Sequence, residues 1–283
     1  MNRSVTAGPA TIGAALERIK RVRSRGFVFV DHRINEEALS FADLYSASSR
    51  MGRCLLARGL FPGDRVALII PEAKEFVLAF LGAISAGLIP VPLFPPLTGK
   101  LRIHEERTAA ILSSCEARCI LLPHALLASL PRLAKAACDR GAVALEALAS
   151  DDPGRDPAPG RQPARPQDPC FLQYTSGSTG DPKGVIVTHH NLVANIEAIA
   201  KAVQLRPGRE VCVSWLPLCH DMGLIGFVLL PLVLQCRAVF IPTLGFMTRP
   251  ASWMKTVHLH RGTATFAPNF AFDLAARRAK GIE

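Results

Sequence analysis

Short apolar runs alternate with stretches of helical periodicity along the chain, and this alternation limits the available folds more than any other feature. "GFVFVD" (26–31) reads as a strand. Ser40 then stands as an N-cap, with Leu44, Ser48, Met51 and Leu55 on one helical face and Gly59 as the C′ residue. "FPGD" makes a turn and "RVALII" (65–70) a buried strand. A helix from 72 to 86, an extended "LIPVPLF", a helix over 102–114, a strand at the end of "CEARCILL" and a helix over 124–138 continue the rhythm. Farther on, "CFLQY", "GVIVTHH" (184–190), "VCVSW" (211–215), "AVFI" (238–241) and "TATFA" (263–267) read as strands. Helices are expected over 191–203, from Pro250 at N1 to near Gly262, and from "PNF" with Asn269 as cap. Residues 216–226, "LPLCHDMGLIG", read as a loop. Such a β-α-β-α order implies an α/β fold with a largely parallel sheet.

Residues 151–169 break the pattern with six prolines in 19 positions. That density excludes a helix or an inner strand and predicts an exposed, extended connector. It either divides the chain into a first α/β lobe over 1–150 and a second over 170–283 or merely crosses a surface. The uncharged stretch 76–94 is long enough for a membrane span. Pro90 and Pro92 interrupt it, however, and Gly82 and Gly87 punctuate it, so a buried helix followed by a buried strand is expected instead.

The net charge of +10 is partly concentrated at Arg18, Lys20, Arg21, Arg23 and Arg25. Ile12, Leu16 and Ile19 share that segment at helical spacing, which makes the cluster the solvated face of an amphipathic helix. No basic run interleaved with aromatics occurs elsewhere, so no nucleic-acid partner is expected, whereas an anionic substrate suits the balance. Eight cysteines form no CxxC and no pair of pairs at zinc spacing, and "HLH" (258–260) places its histidines on different helical faces. No metal site is expected. Most of the cysteines sit among apolar neighbours, and the start lacks the apolar core of a secretion signal, so a reducing cytoplasm is expected.

"YTSGSTGDPKG" (174–184) carries the chemistry. Between two strands, its glycines, hydroxyls and free backbone N–H groups can cradle an anion, phosphate above all, and Lys183 adds a mobile point charge. Pro182 stands where a Walker A loop needs glycine, and Ser176 where a nucleophile elbow needs glycine, so neither motif applies.

"TSGSTGDPKG" (175–184) fits the phosphate-loop pattern [ST]SG[ST]TGxPKG of the adenylate-forming enzymes at every fixed position, and nearly the whole chain resembles that superfamily. Residues 39–71 and "FLGAISAGLIPVPLFPP" (80–96) resemble its N-terminal part. "SWLPLCHDMGLIG" (214–226) and "FAPNFAFDLAARR" (266–278) resemble the fatty-acyl-AMP ligases, with Cys219 where an aromatic is usual. The resemblance implies the N-terminal part of the adenylate-forming fold: parallel-rich sheets flanked by helices, incomplete without a C-terminal domain. It also implies ATP-dependent activation of a fatty acid to acyl-adenylate, with Mg2+. The acyl group then passes to an acyl carrier protein or polyketide synthase, with CoA as the alternative acceptor. Thr175, Ser176, Gly177, Ser178, Thr179, Gly180, Lys183 and Gly184 would hold the phosphates. His220 would sit between acyl group and phosphates, beside Asp221 and Met222, and Asn269 and Phe270 would line the acyl or adenine side. His220 and Lys183 are the expected catalytic groups. Family members are about twice as long, and their adenine, ribose and catalytic-lysine motifs have no counterpart here. The chain is therefore expected to be a fragment inactive alone; the alternative is a non-catalytic remnant with residual phosphate binding.

Overall fold

The computed structural model describes residues 8–96, 101–130, 141–151, 154, 163–175 and 182–278. In chain order the elements begin with α1 (Ile12–Ile19), β1 (Gly26–Val30), β2 (Glu36–Ser40), α2 (Phe41–Ala57), β3 (Arg65–Leu68), α3 (Ala73–Ser85) and β4 (Ile89–Pro92). There follow α4 (Leu101–Ser114), β5 (Ala117–Leu122), α5 (His124–Ser129), β6 (Ala142–Ala144) and α6 (Leu145–Ser150). Next come β7 (Pro169–Thr175), β8 (Lys183–Thr188), α7 (His189–Ala202) and β9 (Val211–Ser214). α8 (Asp221–Gly223), a π-helix (Leu224–Leu229) and α9 (Leu230–Leu234) run on without a break. β10 (Arg237–Phe240), α10 (Thr243–Thr248), α11 (Ala251–Leu259) and α12 (Asn269–Arg278) are the last among the described residues.

Local chemistry sets most boundaries. Thr11 Oγ1 accepts from Ala14 N at 3.0 Å and caps α1, whose Ile12, Leu16 and Ile19 are buried beneath its basic face. Ser40 caps α2 through Asp43 N at 3.1 Å, and Gly59 follows that helix with φ +82°. α3 buries Phe76, Val77, Phe80, Leu81 and Ile84. Each large side chain contributes about 1.5–3 kcal/mol on leaving water. Gly82 stands inside α3 because α2 crosses there: a Cβ would lie 2.9 Å from Ser48 O and 2.8 Å from the Met51 side chain. No helix among the described residues is long and apolar enough to cross a membrane.

The strands form two four-stranded sheets and a hairpin. One sheet has the order β4-β3-β5-β6, parallel throughout; the other has the order β2-β1-β10-β9, parallel except for β2. β1 pairs with β10, Phe27 opposite Ala238, so strands from both sides of the proline-rich segment share one sheet. β7 and β8 form the antiparallel hairpin. The α/β class with parallel sheets flanked by helices is thus observed.

Several local expectations are corrected. β2 was not anticipated; "EEALS" is exposed and polar, and becomes a strand by covering the edge of β1. His189 and His190 belong to α7, not to the preceding strand, because Thr188 and Asn191 form a capping box that starts the helix there. Residues 216–226 are not loop throughout, since the helical run begins at Asp221. Thr263–Ala267 makes a single parallel bridge, Cys212 to Ala264, rather than a strand. Pro250 is the N-cap of α11 instead of its first residue, and Asn269 is the first residue of α12 instead of its cap. Of the helix expected over 124–138, residues 124–129 are observed; 131–138 lie outside the described residues, as does most of the proline-rich connector.

Candidate functional site

The hairpin presents the 175–184 segment. β7 is held on both faces by period-two alternation. Phe171 is buried and meets the ring of Phe80 edge-on at 5.7 Å, and Tyr174 on the opposite face donates its hydroxyl to Ser114 Oγ at 2.9 Å. Thr175 ends β7 and lies directly opposite Lys183, the first residue of β8. Both are exposed, as is Gly184. Gly184 needs no left-handed backbone: the ring of Tyr174 crosses it so closely that a Cβ would sit 2.8 Å from Cζ. Ser176, Gly177, Ser178, Thr179 and Gly180 lie outside the described residues.

The second part is the turn entering α8. His220 N donates to Pro217 O at 3.2 Å and Leu224 N to His220 O at 2.8 Å, closing residues 217–224 into a tight unit. Gly223 permits it, since a Cβ there would lie 2.3 Å from Pro217 O. His220 Nδ1 lies 2.5 Å from Asp221 Oδ1, and Met222 N lies 2.7 Å from that oxygen and 3.3 Å from Nδ1. One nitrogen cannot both donate to Asp221 and accept from Met222. The shorter contacts favour Nδ1–H and Met222 N–H both donating to the carboxylate. This leaves Nε2 for a ligand. Both side chains are more than half exposed, so the pair orients the imidazole and adds little stability. Phe94 lies edge-on to His220, ring centroids 6.3 Å apart.

The two parts meet where β7 passes Cys219: Gln173 Nε2 donates to Cys219 O at 3.3 Å. Cys219 is buried, and burial pushes its thiol up to about 12, so it stays neutral. Behind the turn, Trp215 stacks on Phe246 at 3.8 Å and stands edge-on to Trp253 and Phe270. Phe270, Asn269 and Met222 are all exposed.

The structure therefore brings Thr175 to Lys183, His220 to Asp221 and Met222, and Phe270 to Trp215. Sequence reasoning missed Gln173, Phe94 and Trp215. The signal for Gln173 was a polar residue on the same face of "CFLQY" as a buried phenylalanine.

Residues 19–283 match the AMP-binding enzyme family, and the chain belongs to it. It is 37% identical over 270 residues to a long-chain-fatty-acid–AMP ligase, FadD26, of Mycobacterium marinum, covering 92% of this chain and 45% of that one. A putative acyl-CoA synthetase of Caulobacter vibrioides is 36% identical over 247 residues, covering 87% of this chain and 42% of that one. A solved structure from work on fatty acyl-adenylate ligases of E. coli and L. pneumophila superposes with TM-score 0.87 at 35% identity, covering 98% of this chain and 49% of that one. A fatty acyl-adenylate ligase of L. pneumophila in complex with acyl adenylate and pyrophosphate superposes with TM-score 0.82 at 28% identity, covering 95% and 46%. The chain spans about half the length of these relatives.

Proposed function

We propose that the chain is the nucleotide- and acyl-gripping half of an AMP-forming ligase that activates a fatty acid with ATP. A carboxylate oxygen attacks the α-phosphorus, the bond to the β-phosphate bridging oxygen breaks, and pyrophosphate leaves with that electron pair. Positioning and charge neutralisation dominate such a step. Thr175, Ser176, Gly177, Ser178, Thr179, Gly180, Lys183 and Gly184 hold the β- and γ-phosphates and stabilise the charge growing on the leaving group. His220, its Nδ1–H fixed by Asp221, offers Nε2 where acyl group and phosphates meet. Met222, Asn269 and Phe270 form the acyl or adenine side.

Among the described residues no three His, Cys, Asp or Glu side chains converge as metal ligands. Mg2+ would bind chiefly through phosphate oxygens and water and would arrive with the nucleotide. The acyl group passes on to the thiol of an acyl carrier protein or polyketide synthase, with CoA as the alternative acceptor. A reducing cytoplasm suits the seven described cysteines, all of them buried.

The observation that carries this reading is the meeting of β7, which leads into the phosphate loop, with the turn that bears His220. Its test is acid-dependent exchange between pyrophosphate and ATP. Lys183→Ala in the full-length protein that carries this segment is expected to lower exchange about a hundredfold or more. Residues 1–283 alone, assayed in parallel, are expected to give none. Undiminished exchange in Lys183→Ala removes the lysine from the mechanism, and exchange by residues 1–283 alone removes the need for the other half.

A further inference from the structure

Gln173 occupies a position that packing alone does not explain. It shares a face of β7 with fully buried Phe171, two residues before the phosphate loop begins. An apolar residue would suit that face, yet an amide stands there. Its Nε2 donates to Cys219 O at 3.3 Å, and its Oε1 is buried without a hydrogen-bond partner. The amide orientation follows from chemistry: the Cys219 carbonyl only accepts, so the NH2 faces it. Leaving Oε1 unpaired carries a desolvation cost, which the contact to Cys219 must outweigh.

The two bodies joined by this contact are each held by contacts of their own. β7 is fixed by Phe171 on one face and by the Tyr174–Ser114 hydrogen bond on the other. Residues 217–224 are closed by His220 N to Pro217 O and Leu224 N to His220 O. The residue following the accepting carbonyl is His220. A small movement at the end of β7 therefore has a direct route, through Gln173, to the backbone beside the histidine.

We propose that Gln173 is a positioning residue that transmits occupancy of the 175–184 loop to His220 through the Cys219 carbonyl. It couples the phosphate grip to the orientation of the group that meets the acyl carboxylate. The proposal rests on the phosphate-loop reading above.

The test uses residues 1–283, magnesium pyrophosphate as probe, and the variants Gln173→Met and Gln173→Leu. Both keep most of the volume, add no charge, and lose the amide donor to Cys219 O. Without ligand, both variants are expected to raise amide exchange at residues 219–222 about fivefold, the worth of one net hydrogen bond, with β7 and β8 unchanged. On titration with magnesium pyrophosphate, the His220 ring resonances move in the unaltered chain. In both variants they stay fixed, although calorimetry gives a Kd within about twofold, as expected for a contact outside the loop itself. Unchanged exchange at 219–222, or His220 resonances that still respond, overturns the proposal. Exchange raised evenly across β7 and β8 also overturns it, because Gln173 is then a packing residue. Failure of pyrophosphate to bind the unaltered chain sinks the phosphate-loop reading and the transmission with it. The ligand-free exchange still decides whether the tether itself exists.

Discussion

The ring of Tyr174 lies across the backbone of Gly184, its cross-strand partner at the mouth of the hairpin. The hairpin ends one pair further on, at Thr175 and Lys183, so the fit between Tyr174 and Gly184 fixes the rung of the ladder beneath that end.

Gly184→Ala is expected to push the Tyr174 ring aside, break its 2.9 Å hydrogen bond to Ser114, and cost about 1–3 kcal/mol as an overpacking change. Urea denaturation measures this. Adding Tyr174→Ala to the same chain is expected to cost less than the two single changes summed, because the clash disappears with the ring. An unaltered urea midpoint in Gly184→Ala contradicts the close approach.

His189 is a buried clasp between α7 and α1, its Nδ1 accepting from Ile12 N at 3.3 Å. Burial holds its pKa below the usual imidazole range, with the Asp168 charge opposing. A depressed folded-state pKa means the unfolded chain binds the proton more readily. The contribution is therefore complete above about pH 6.5, the ordinary imidazole value, and is lost as pH falls from there toward the folded-state value. His189→Gln is expected to flatten the dependence of the urea midpoint on pH between 7.5 and 5.5. A slope equal to that of the unaltered chain shows that His189 is not its source.

Glu210 is 6% exposed and accepts from Thr263 Oγ1 at 2.6 Å and from Arg206 N and Nε at 3.1 and 3.0 Å. The Thr263 hydroxyl above all holds the carboxyl below its usual range, with burial opposing and Arg206 adding to the depression. Thr263→Val is expected to cost about 2 kcal/mol at pH 7, the loss of one hydrogen bond to a charged group. The depressed pKa makes this stabilisation complete above the ordinary carboxylate range and lost as pH falls through the folded-state value. The deficit of Thr263→Val therefore shrinks in acid. Thermal unfolding at pH 7 and pH 3 reads both; an equal deficit at the two values rules out the carboxylate as the hydroxyl's partner.

What the sequence determined by itself was local. Ser40 and Gly59 bound α2 because a cap and a left-handed residue act within one turn of the helix they end. The apolar face of α1, the buried α3 and the strand runs of β1, β3 and β9 follow from side-chain period alone. The loop at 175–184 was legible for the same reason, as its residue types and spacing are contiguous.

The tertiary structure decided what depends on partners far along the chain. "EEALS" becomes β2 only because β1 offers an edge, and Thr263–Ala267 stops at one bridge because only Cys212 and its neighbours reach it. β1 beside β10, Ile12 against His189 and Gln173 against Cys219 are contacts between segments whose periodicities carry no information about each other. Period and capping are settled within a few residues by backbone sterics and hydrogen bonds. Which strand lies beside which, and which amide meets which carbonyl, is settled only when whole elements bury their apolar faces together.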